Sequence, residues 1–326
     1  MIDLHLHLDG AISLESARML SKLQGIPIPD GPKELERMMR VSPGCRDLTE
    51  FLQKFAFPCM LLQTKTGITT AVYNLCQELK SQGLIYAEIR FAPQKSCDQG
   101  LTQEEVVLAA LEGLHMSSFR ANLVLSCMRG ENNPVNEALN RETIRLAGKY
   151  LGQGVGGADL AGAEALFPTS GFAPVFAYAR ELGVPFEIHA GEADGPESVR
   201  QAIAFGANRI GHGVRSIEDP SLVAELAELR IPLLICPTSN VQTCAIAQVS
   251  DLPIRTFLNA GVRFTICSDD PSIEGTTIKA EWEKIIDIFR LTRQEIRSLY
   301  LTAVDAAFCS DVIRQDLKNS LLHRFN

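Results

Sequence analysis

The chain begins with Met1-Ile-Asp-Leu-His-Leu-His-Leu-Asp-Gly10. Side chains alternate across a β-strand, so His5 and His7 project from one face and the intervening leucines from the other. This pattern predicts a strand over residues 2–8 of a barrel, with both imidazoles at the mouth and the leucines against surrounding helices. The chain contains only six histidines among 326 residues, and an isolated His-x-His pair is a weak signal that needs support from other motifs.

Further short apolar runs follow along the chain, each ending in polar residues or glycine and each followed by a helix-like stretch. With the first run included, the predicted strands are residues 2–8, 85–91, 122–128, 154–160, 185–189, 208–212, 231–236 and 263–267. Strands that alternate with helices predict a parallel sheet, and eight strands are typical of a barrel. The predicted fold class is therefore α/β, a (β/α)8 TIM-type barrel in one domain.

A long segment, residues 13–82, separates the first predicted strand from the second, and it exceeds a single crossover helix. We therefore expect a helical insertion after strand 1. Within it Leu48, Phe51, Leu52 and Phe55 follow the i, i+3, i+4, i+7 spacing of one helix face. Packing against the core is the favoured interpretation of this stripe. The alternative is an apolar wall for a flat substrate, if the helix lies over the barrel mouth.

Composition favours a globular protein with a small-molecule partner. Hydrophobic residues make up 46% and charged residues 21% of the chain, and the net charge is −8. This negative charge argues against nucleic acid and anionic membranes as partners. The nine cysteines include no Cys-x-x-Cys pair, which favours free thiols over disulfides or a thiolate metal site. The sequence shows no export signal and no apolar run that approaches a membrane span, so we expect a cytoplasmic location.

Four potential metal ligands lie at the ends of predicted strands that are distant in sequence. His5 and His7 end strand 1, His189 ends strand 5 and Asp269 follows strand 8. Because the carboxyl ends of barrel strands meet at one mouth, we expect these side chains to converge. Three imidazoles and one carboxylate, with a position left for water, are a plausible catalytic zinc site. The sequence therefore predicts one Zn²⁺ per chain, which would make bound water a nucleophile near neutral pH.

Three further residues at these strand ends are assigned catalytic roles. Glu192 lies three residues past His189, where it can approach a substrate without binding the metal, and we assign it as the general acid. His212, flanked by glycines, is assigned to orienting the metal-bound water, although a histidine by itself is more often structural. Asp270 directly follows Asp269, and burial of both requires a cation for one and a proton or substrate hydrogen bond for the other. Asp-Asp-Pro is also good turn chemistry, and both interpretations can hold.

Motifs along nearly the whole chain occur in the order of a known family. The segments are His5-Leu-His-Leu-Asp-Gly-Ala11, Phe51-Leu-Gln-Lys-Phe55, Glu88-Ile-Arg-Phe-Ala-Pro93, Cys127-Met-Arg129, Asp159-Leu-Ala-Gly162, His189-Ala-Gly-Glu192, Gly211-His-Gly213, Cys236-Pro-Thr-Ser-Asn240 and Ser268-Asp-Asp-Pro271. In these segments the sequence closely resembles the adenosine deaminases of the amidohydrolase superfamily, and its bacterial members in particular. The resemblance implies one metal-dependent hydrolase domain over residues 1–326.

The resemblance also implies an activity. A zinc-containing barrel of this kind hydrolyses the 6-amino group of adenosine or 2′-deoxyadenosine, which gives inosine or deoxyinosine and ammonia in purine salvage. A metal-activated hydroxide would attack C6 while Glu192 protonates N1. His212 would act on the zinc water, and Asp270 would contact the hydroxide and N7. The implied zinc ligands are the four residues proposed above: His5, His7, His189 and Asp269.

Substrate contacts follow from the same resemblance. The backbone N–H of Gly162 would meet N3, Asp9 would bind the ribose hydroxyl, and His7 and Asp270 would also border the substrate. The apolar wall near the sugar would be Leu48, Phe51, Leu52 and Phe55. Related adenine deaminases typically carry Glu where Asp9 stands, so Asp9 favours a nucleoside over a free base. The expected partner is a purine nucleoside, bound by a monomer or weak homo-oligomer.

Other functions remain open from the sequence. The same chemistry could act on adenine, methylthioadenosine or aminodeoxyfutalosine. Other metal-dependent hydrolases with an initial His-x-His, including phosphoesterases, usually need a second metal with an additional bridging ligand, and the sequence shows no obvious one. A non-catalytic nucleoside-binding barrel predicts that a ligand, the acid or the water-orienting histidine is missing, and the sequence contains all of them.

Overall fold

A computed structural model describes residues 1–42 and 44–325 of the chain. The domain prediction also covers residues 43 and 326, which lie outside the described residues. The eight predicted strands are all confirmed, with shifts of one or two residues at some ends. They are β1 (Ile2–His7), β2 (Tyr86–Phe91), β3 (Ala121–Met128), β4 (Val155–Ala161), β5 (Glu187–Ala190), β6 (Arg209–His212), β7 (Leu233–Ile235) and β8 (Phe264–Ile266).

The strands follow one another around the barrel in chain order. β1 to β4 pair in parallel, and β5 to β8 do the same. One bridge joins β4 to the start of β5, and another joins Leu6 of β1 to Asp269 beyond β8. At this second seam His7 N donates to Asp269 O over 2.9 Å, and Asp269 N donates to His5 O over 2.8 Å. The predicted (β/α)8 barrel is confirmed, and its closing seam contains three predicted metal ligands.

The helical insertion predicted after β1 is also confirmed. It contains α1 (Leu14–Gln24), α2 (Pro32–Met39), α3 (Leu48–Leu52), α4 (Ala56–Met60) and α5 (Lys65–Ser81), with a 3-10 turn at Gln53–Phe55. Hydroxyl side chains define the starts of its two longest helices. Ser13 accepts a hydrogen bond from Ser16 N at α1, and Thr64 accepts one from Gly67 N at α5.

The remaining helices connect the later strands and follow β8. They are α6 (Gln103–Met116), α7 (Pro134–Lys149), α8 (Ala173–Glu181), α9 (Pro196–Phe205), α10 (Pro220–Leu229), α11 (Pro237–Gln242), α12 (Ile254–Ala260), α13 (Pro271–Glu274), α14 (Ile278–Phe289), α15 (Arg293–Ala306) and α16 (Asp311–Phe325). Short 3-10 turns occur at Pro93–Ser96, Thr169–Phe172, Val214–Glu218 and Val249–Asp251. Several helices begin with proline, whose fixed φ and missing N–H suit a first turn. Among the described helices, none combines the length and the apolar character that crossing a membrane requires.

The leucines of β1 and Leu8 directly after it pack on the outside of the barrel, as the alternation predicts. Leu6 and Leu8 belong to the main hydrophobic core, which fills the space between strands and helices. Leu4 belongs to a second cluster with Val304 of α15 and Leu317 of α16. These contacts leave the opposite face of β1, with its histidines, directed to the barrel interior.

Four charged side chains form what we call the barrel ion cluster: Glu88, Arg90, Glu187 and Arg209. Each has no solvent exposure. Arg209 pairs with Glu88 and, through Nε, with Glu187 Oε2 at 2.7 Å, while Arg90 pairs with Glu187 Oε1. Arg90 Nη2 also donates to Leu4 O over 2.7 Å. Because a buried ion is tolerated only when it is paired and hydrogen-bonded, each member depends on the others.

We predict that Arg209→Ala lowers the free energy of unfolding by roughly 3–5 kcal/mol, because it leaves Glu88 and Glu187 buried with too few partners. Chemical denaturation followed by circular dichroism measures this change. Arg120→Ala serves as the control, since the Arg120–Asp316 pair is exposed and contributes little. Equal losses in the two variants would contradict the prediction.

Candidate active site

The predicted metal ligands converge at the carboxyl ends of β1, β5 and β8. His189 Nε2 lies 3.0 Å from His5 Nε2 and 3.2 Å from His7 Nε2. Asp269 Oδ1 lies 3.4 Å from His5 Nε2 and 3.3 Å from His7 Nε2. Donors bonded to a tetrahedral ion at about 2.0–2.1 Å lie roughly 3.3 Å from one another, so these separations fit one metal ion. We call these four side chains the donor set.

The chemistry of these atoms also fits a metal ion. Asp269 Oδ1 is buried and has no hydrogen-bond partner in the described part of the chain. Imidazole nitrogen and carboxylate oxygen are ligands that zinc and other first-row divalent ions accept. Two overlapping groups of possible ligands share Asp269, one with His5, His189 and His212, and one with His7 and Asp270. Proximity alone therefore leaves His212 as a rival ligand.

Carboxylates beside the outer ring nitrogens favour His5 and His189 as ligands. His5 Nδ1 lies 2.6 Å from Glu187 Oε1, and His189 Nδ1 lies 3.0 Å from Asp159 Oδ1. A carboxylate partner keeps the ring proton on Nδ1, which leaves the Nε2 lone pair directed at the centre. Burial lowers the pKa of His189 to about 3, so its ring is neutral, as ligation requires.

His212 has a different partner. Its Nδ1 lies 3.1 Å from Asn240 Nδ2, and in this orientation the amide donates, which leaves the ring proton on Nε2. This Nε2 lies 3.6 Å from Glu192 Oε2 and 3.7 Å from Asp269 Oδ2. A protonated nitrogen cannot ligate a metal. The geometry therefore supports a hydrogen-bonding role for His212 beside the donor set.

Burial and neighbouring charges shift the pKa values of the carboxyl groups at this site in opposite directions. Burial alone would raise the pKa of Asp269, but His5 and the other histidines hold it well below its usual value. Burial and then the charge on Asp269 raise the pKa of Asp270 well above the usual value. Burial, followed by the charges on Asp269 and Glu164, raises the pKa of Glu192 to about 8. The pKa of one carboxyl group is thus lowered while those of its neighbours are raised, an arrangement that suits acid–base chemistry.

The backbone at two of these residues is unusual for residues other than glycine. His212 has φ 61° and Asp269 has φ 60°, both in the left-handed region. Such conformations persist where the surrounding structure holds them, and they concentrate at functional sites.

Gly10 allows a close approach of Asp270 to the backbone, because a Cβ there would overlap Asp270 Oδ1. The glycine of the first motif is therefore needed to seat Asp270.

A cavity of about 500 Å³ opens above the donor set, which is within the range of small-molecule sites. The predicted residues on its wall are His7, Asp9, Leu48, Phe51, Leu52, Phe55, Gly162, His189, Glu192, His212, Asp269 and Asp270. His5 lies beneath this surface with no solvent exposure. The structure thus brings together all the residues predicted for the site.

The apolar stripe of the insertion lies at this cavity. Leu48 and Phe51 are buried with Ile273 in a small cluster of their own, and Leu52 and Phe55 pack against it. All four stripe residues also line the cavity wall. The stripe therefore packs in a small hydrophobic cluster apart from the main core, and it also has the geometry that an apolar wall at the barrel mouth requires.

The sequence did not point to the residues that support the site by contacting its side chains or its backbone. Glu187 could have been found, because it lies two residues before His189 on the same face of β5. Asn240 was only part of a matching motif, and Glu164 was not noticed. Their partners are distant in sequence, so no local spacing points to them.

The comparisons with known proteins agree with this geometry. The family model described as Adenosine deaminase matches residues 1–324. The chain is 45% identical to the adenosine deaminase of Haemophilus ducreyi, over 99% of this chain and 95% of that protein. It is 34% identical to the adenosine deaminase of Enterococcus faecalis, over 95% and 92% of the two chains. The chain belongs to the adenosine deaminase family. The resemblance seen in its motifs is confirmed.

Solved structures extend this similarity to the whole fold. An adenine deaminase from Arthrobacter aurescens has a TM-score of 0.86 and 25% identity, with 99% of this chain and 98% of that chain covered. An N6-mAMP deaminase from Arabidopsis has a TM-score of 0.86 and 26% identity, with 99% and 97% covered. A zinc-bound amidohydrolase from Burkholderia ambifaria shares the fold at 19% identity, with a TM-score of 0.86 and 99% and 90% covered. The family is metal-dependent, and this chain has a His/Asp cluster able to bind a metal ion.

His189→Ala is predicted to lower the bound metal per chain towards zero, because it removes the imidazole that lies closest to the two β1 histidines. Elemental analysis after dialysis against metal-free buffer measures the metal content. The control is His115→Ala, an exposed histidine of α6. A full metal complement in His189→Ala would refute its role as a ligand.

Proposed function

We propose that this protein catalyses the zinc-dependent hydrolytic deamination of adenosine and 2′-deoxyadenosine, which yields inosine or deoxyinosine and ammonia. One observation carries the proposal. The cavity places Glu192, whose pKa is raised to about 8, on the same wall as a donor set suited to a metal ion. A protonated acid beside an activated water is the combination that hydrolysis of a 6-aminopurine needs. The names of the bacterial relatives support adenosine as the substrate.

One Zn²⁺ per chain would be held by His5, His7, His189 and Asp269. When bound, such an ion supplies Lewis-acid activation of a water molecule at neutral pH. Glu187 and Asp159 would orient two of the rings, because their carboxylates lie 2.6 Å from His5 Nδ1 and 3.0 Å from His189 Nδ1. The neutral form of His189, which burial favours, suits this role.

Side chains of the protein then donate the proton and the hydrogen bonds that the reaction requires. Glu192 donates its proton to N1 of the purine, which drains electron density from C6 and lowers the barrier to attack by water. His212 orients the attacking water through Nε2. Asp270, whose pKa burial raises, donates a hydrogen bond to N7. Water adds its oxygen at C6, one of its protons passes to the amino group, which leaves as ammonia, and the other returns to Glu192, so the ring gains an oxygen at C6 and keeps a proton on N1.

Asp9 and Gly162 would select a nucleoside. Asp9 Oδ2 receives a weak contact from the Cys59 thiol at 3.8 Å, while buried Oδ1 has no hydrogen-bond partner within the described residues. A ribose hydroxyl would satisfy this oxygen. The backbone N–H of Gly162 would donate to N3, and the apolar stripe would cover the sugar. This reaction would place the protein in purine salvage.

A second candidate is the same chemistry on another 6-aminopurine. Two structural relatives with TM-scores of 0.86 are described as adenine and N6-mAMP deaminases, so this barrel shape accommodates other substrates. Adenine, methylthioadenosine and aminodeoxyfutalosine would all use the same donor set and acid. They differ only in what they present to Asp9 and the apolar stripe.

The substrate is tested by ammonia release from zinc-loaded protein with adenosine, deoxyadenosine, adenine, methylthioadenosine and aminodeoxyfutalosine. We expect the highest kcat/KM for adenosine or deoxyadenosine, because both carry a free 5′-hydroxyl for Asp9, which the other compounds of the panel lack. Asp9→Asn should lower kcat/KM for adenosine by roughly 10–100-fold, since it replaces a charged acceptor. If another compound in the panel is turned over faster, that compound replaces adenosine as the proposed substrate. If none is turned over, the alternative of a non-catalytic nucleoside-binding barrel is favoured.

Glu192→Gln is predicted to keep metal and substrate binding while kcat falls by about 10²–10⁴-fold, because an amide cannot supply the N1 proton. In the unaltered protein, the protonated acid is present below its pKa of about 8 and is lost above it, so kcat should decline as pH rises through that region. Steady-state kinetics across pH measures both effects. Glu197→Gln, an exposed carboxylate of α9, is the control. Unchanged turnover in Glu192→Gln would remove this residue from the mechanism.

A further inference from the structure

Glu164 is a buried carboxylate that lies behind the general acid. It follows β4, two residues after Gly162, and only 1% of it is exposed. Its Oε1 accepts from Gly191 N at 2.8 Å and from Ser198 Oγ at 2.5 Å. Its Oε2 accepts from the N–H groups of residues 192, 193 and 194, at 3.0, 2.7 and 3.0 Å. One side chain thus receives five hydrogen bonds.

Four of these donors are consecutive backbone amides in the segment that joins β5 to α9. We call residues 191–194 the acid turn, because it carries Glu192. Successive N–H groups that point to one spot form a concave anion-binding nest, and Gly191 with φ 69° provides the left-handed residue such a bend requires. The carboxylate of Glu164 fills this nest, so the path of the acid turn depends on it.

A chain of hydrogen bonds continues from Glu164 to the donor set. Ser198 Oγ lies 2.8 Å from Thr169 Oγ1, which accepts from Arg129 Nη2 at 3.0 Å. The same Nη2 donates to the carbonyl of His189 over 2.6 Å. The backbone on both sides of the β5 exit is therefore held by one connected set of buried polar groups.

We propose that Glu164 is a positioning residue for deamination, which holds the acid turn so that Glu192 meets N1 of the purine. This inference rests on the proposed function and deepens it. Glu164 acts through backbone amides, and it is not among the residues that line the cavity, whereas Glu192 is. A displacement of about 1 Å at a reacting group can cost on the order of 100-fold in rate, so the rigidity of this turn affects kcat.

The charge of Glu164 has a second effect on the same residue. Burial alone would raise the pKa of Glu164, but Arg129, Ser198 and the backbone amides hold it below its usual value, so it stays ionised. This negative charge contributes to the raised pKa of Glu192, after burial and Asp269. Glu164 therefore helps to keep the acid protonated as well as in place.

The test compares Glu164→Gln with Glu78→Gln in the metal-loaded, full-length protein. Glu78 is a half-buried carboxylate of α5 that accepts from Ser13 Oγ at 2.7 Å and Ser16 Oγ at 3.1 Å, far along the chain from the acid turn. The measurements are metal content, kcat and KM for adenosine across pH, and hydrogen exchange of the peptide that contains residues 191–194.

In Glu164→Gln we expect the metal content of the unaltered protein, KM within about threefold, and kcat lower by on the order of 100-fold. The alkaline decline of kcat should move to lower pH, because one negative charge near Glu192 is lost. Exchange at residues 191–194 should be faster. Glu78→Gln should change none of these quantities. A purely structural role would lower stability without the shift in the pH profile.

Ser198→Ala provides a milder variant if Glu164→Gln does not fold. It removes one donor of the five, and we expect kcat lower by about 3–10-fold with faster exchange at residues 191–194. If the altered proteins show the kcat, pH profile and exchange of the unaltered protein, the role of Glu164 is overturned. If the unaltered protein deaminates no purine, the proposed function is overturned, and the exchange data alone decide whether Glu164 holds the acid turn.

Discussion

The side chain of Glu187 joins the interior of the barrel to its mouth. One oxygen contacts His5 Nδ1 at 2.6 Å and Arg90, and the other contacts Arg209 Nε at 2.7 Å. Burial alone would raise the pKa of Glu187, but the two arginines hold it well below its usual value. It therefore stays a charged acceptor, which keeps the proton of His5 on Nδ1 and turns Nε2 to the centre. The barrel ion cluster and the donor set are one connected structure.

Asp269 takes part both in closing the barrel and in assembling the donor set. The backbone of Asp269 bonds to both histidines of β1, and these bonds place its carboxylate beside their rings. The left-handed φ of Asp269 costs on the order of 1–3 kcal/mol, which the hydrogen bonds of the seam offset. A barrel that failed to close would thus lose the centre. This coupling explains why ligands more than 250 positions apart can act as one site.

Much of this architecture could be predicted from the sequence, and the features that could not be predicted depend on contacts between distant segments. The eight strands and the helical insertion were predicted because alternation and helical spacing reflect local geometry, and the family was recognised from motifs in order. Spacing alone could not choose between the two interpretations of the stripe at Leu48, Phe51, Leu52 and Phe55, because it shows that a face is apolar but not what covers it. Glu164 was missed because its five donors lie 27–34 positions further along the chain. The roles of the site residues remain predictions.

The sequence by itself determined the order of strands, the residue types at their ends and membership of the adenosine deaminase family. These properties depend on short-range sterics and on side-chain identity. Only the tertiary structure showed which partners the ring nitrogens face, that burial raises the pKa of Glu192, and that its turn encloses a buried carboxylate. Tautomers and pKa values depend on desolvation and on partners brought together from distant segments, and neither can be read from neighbours in the chain.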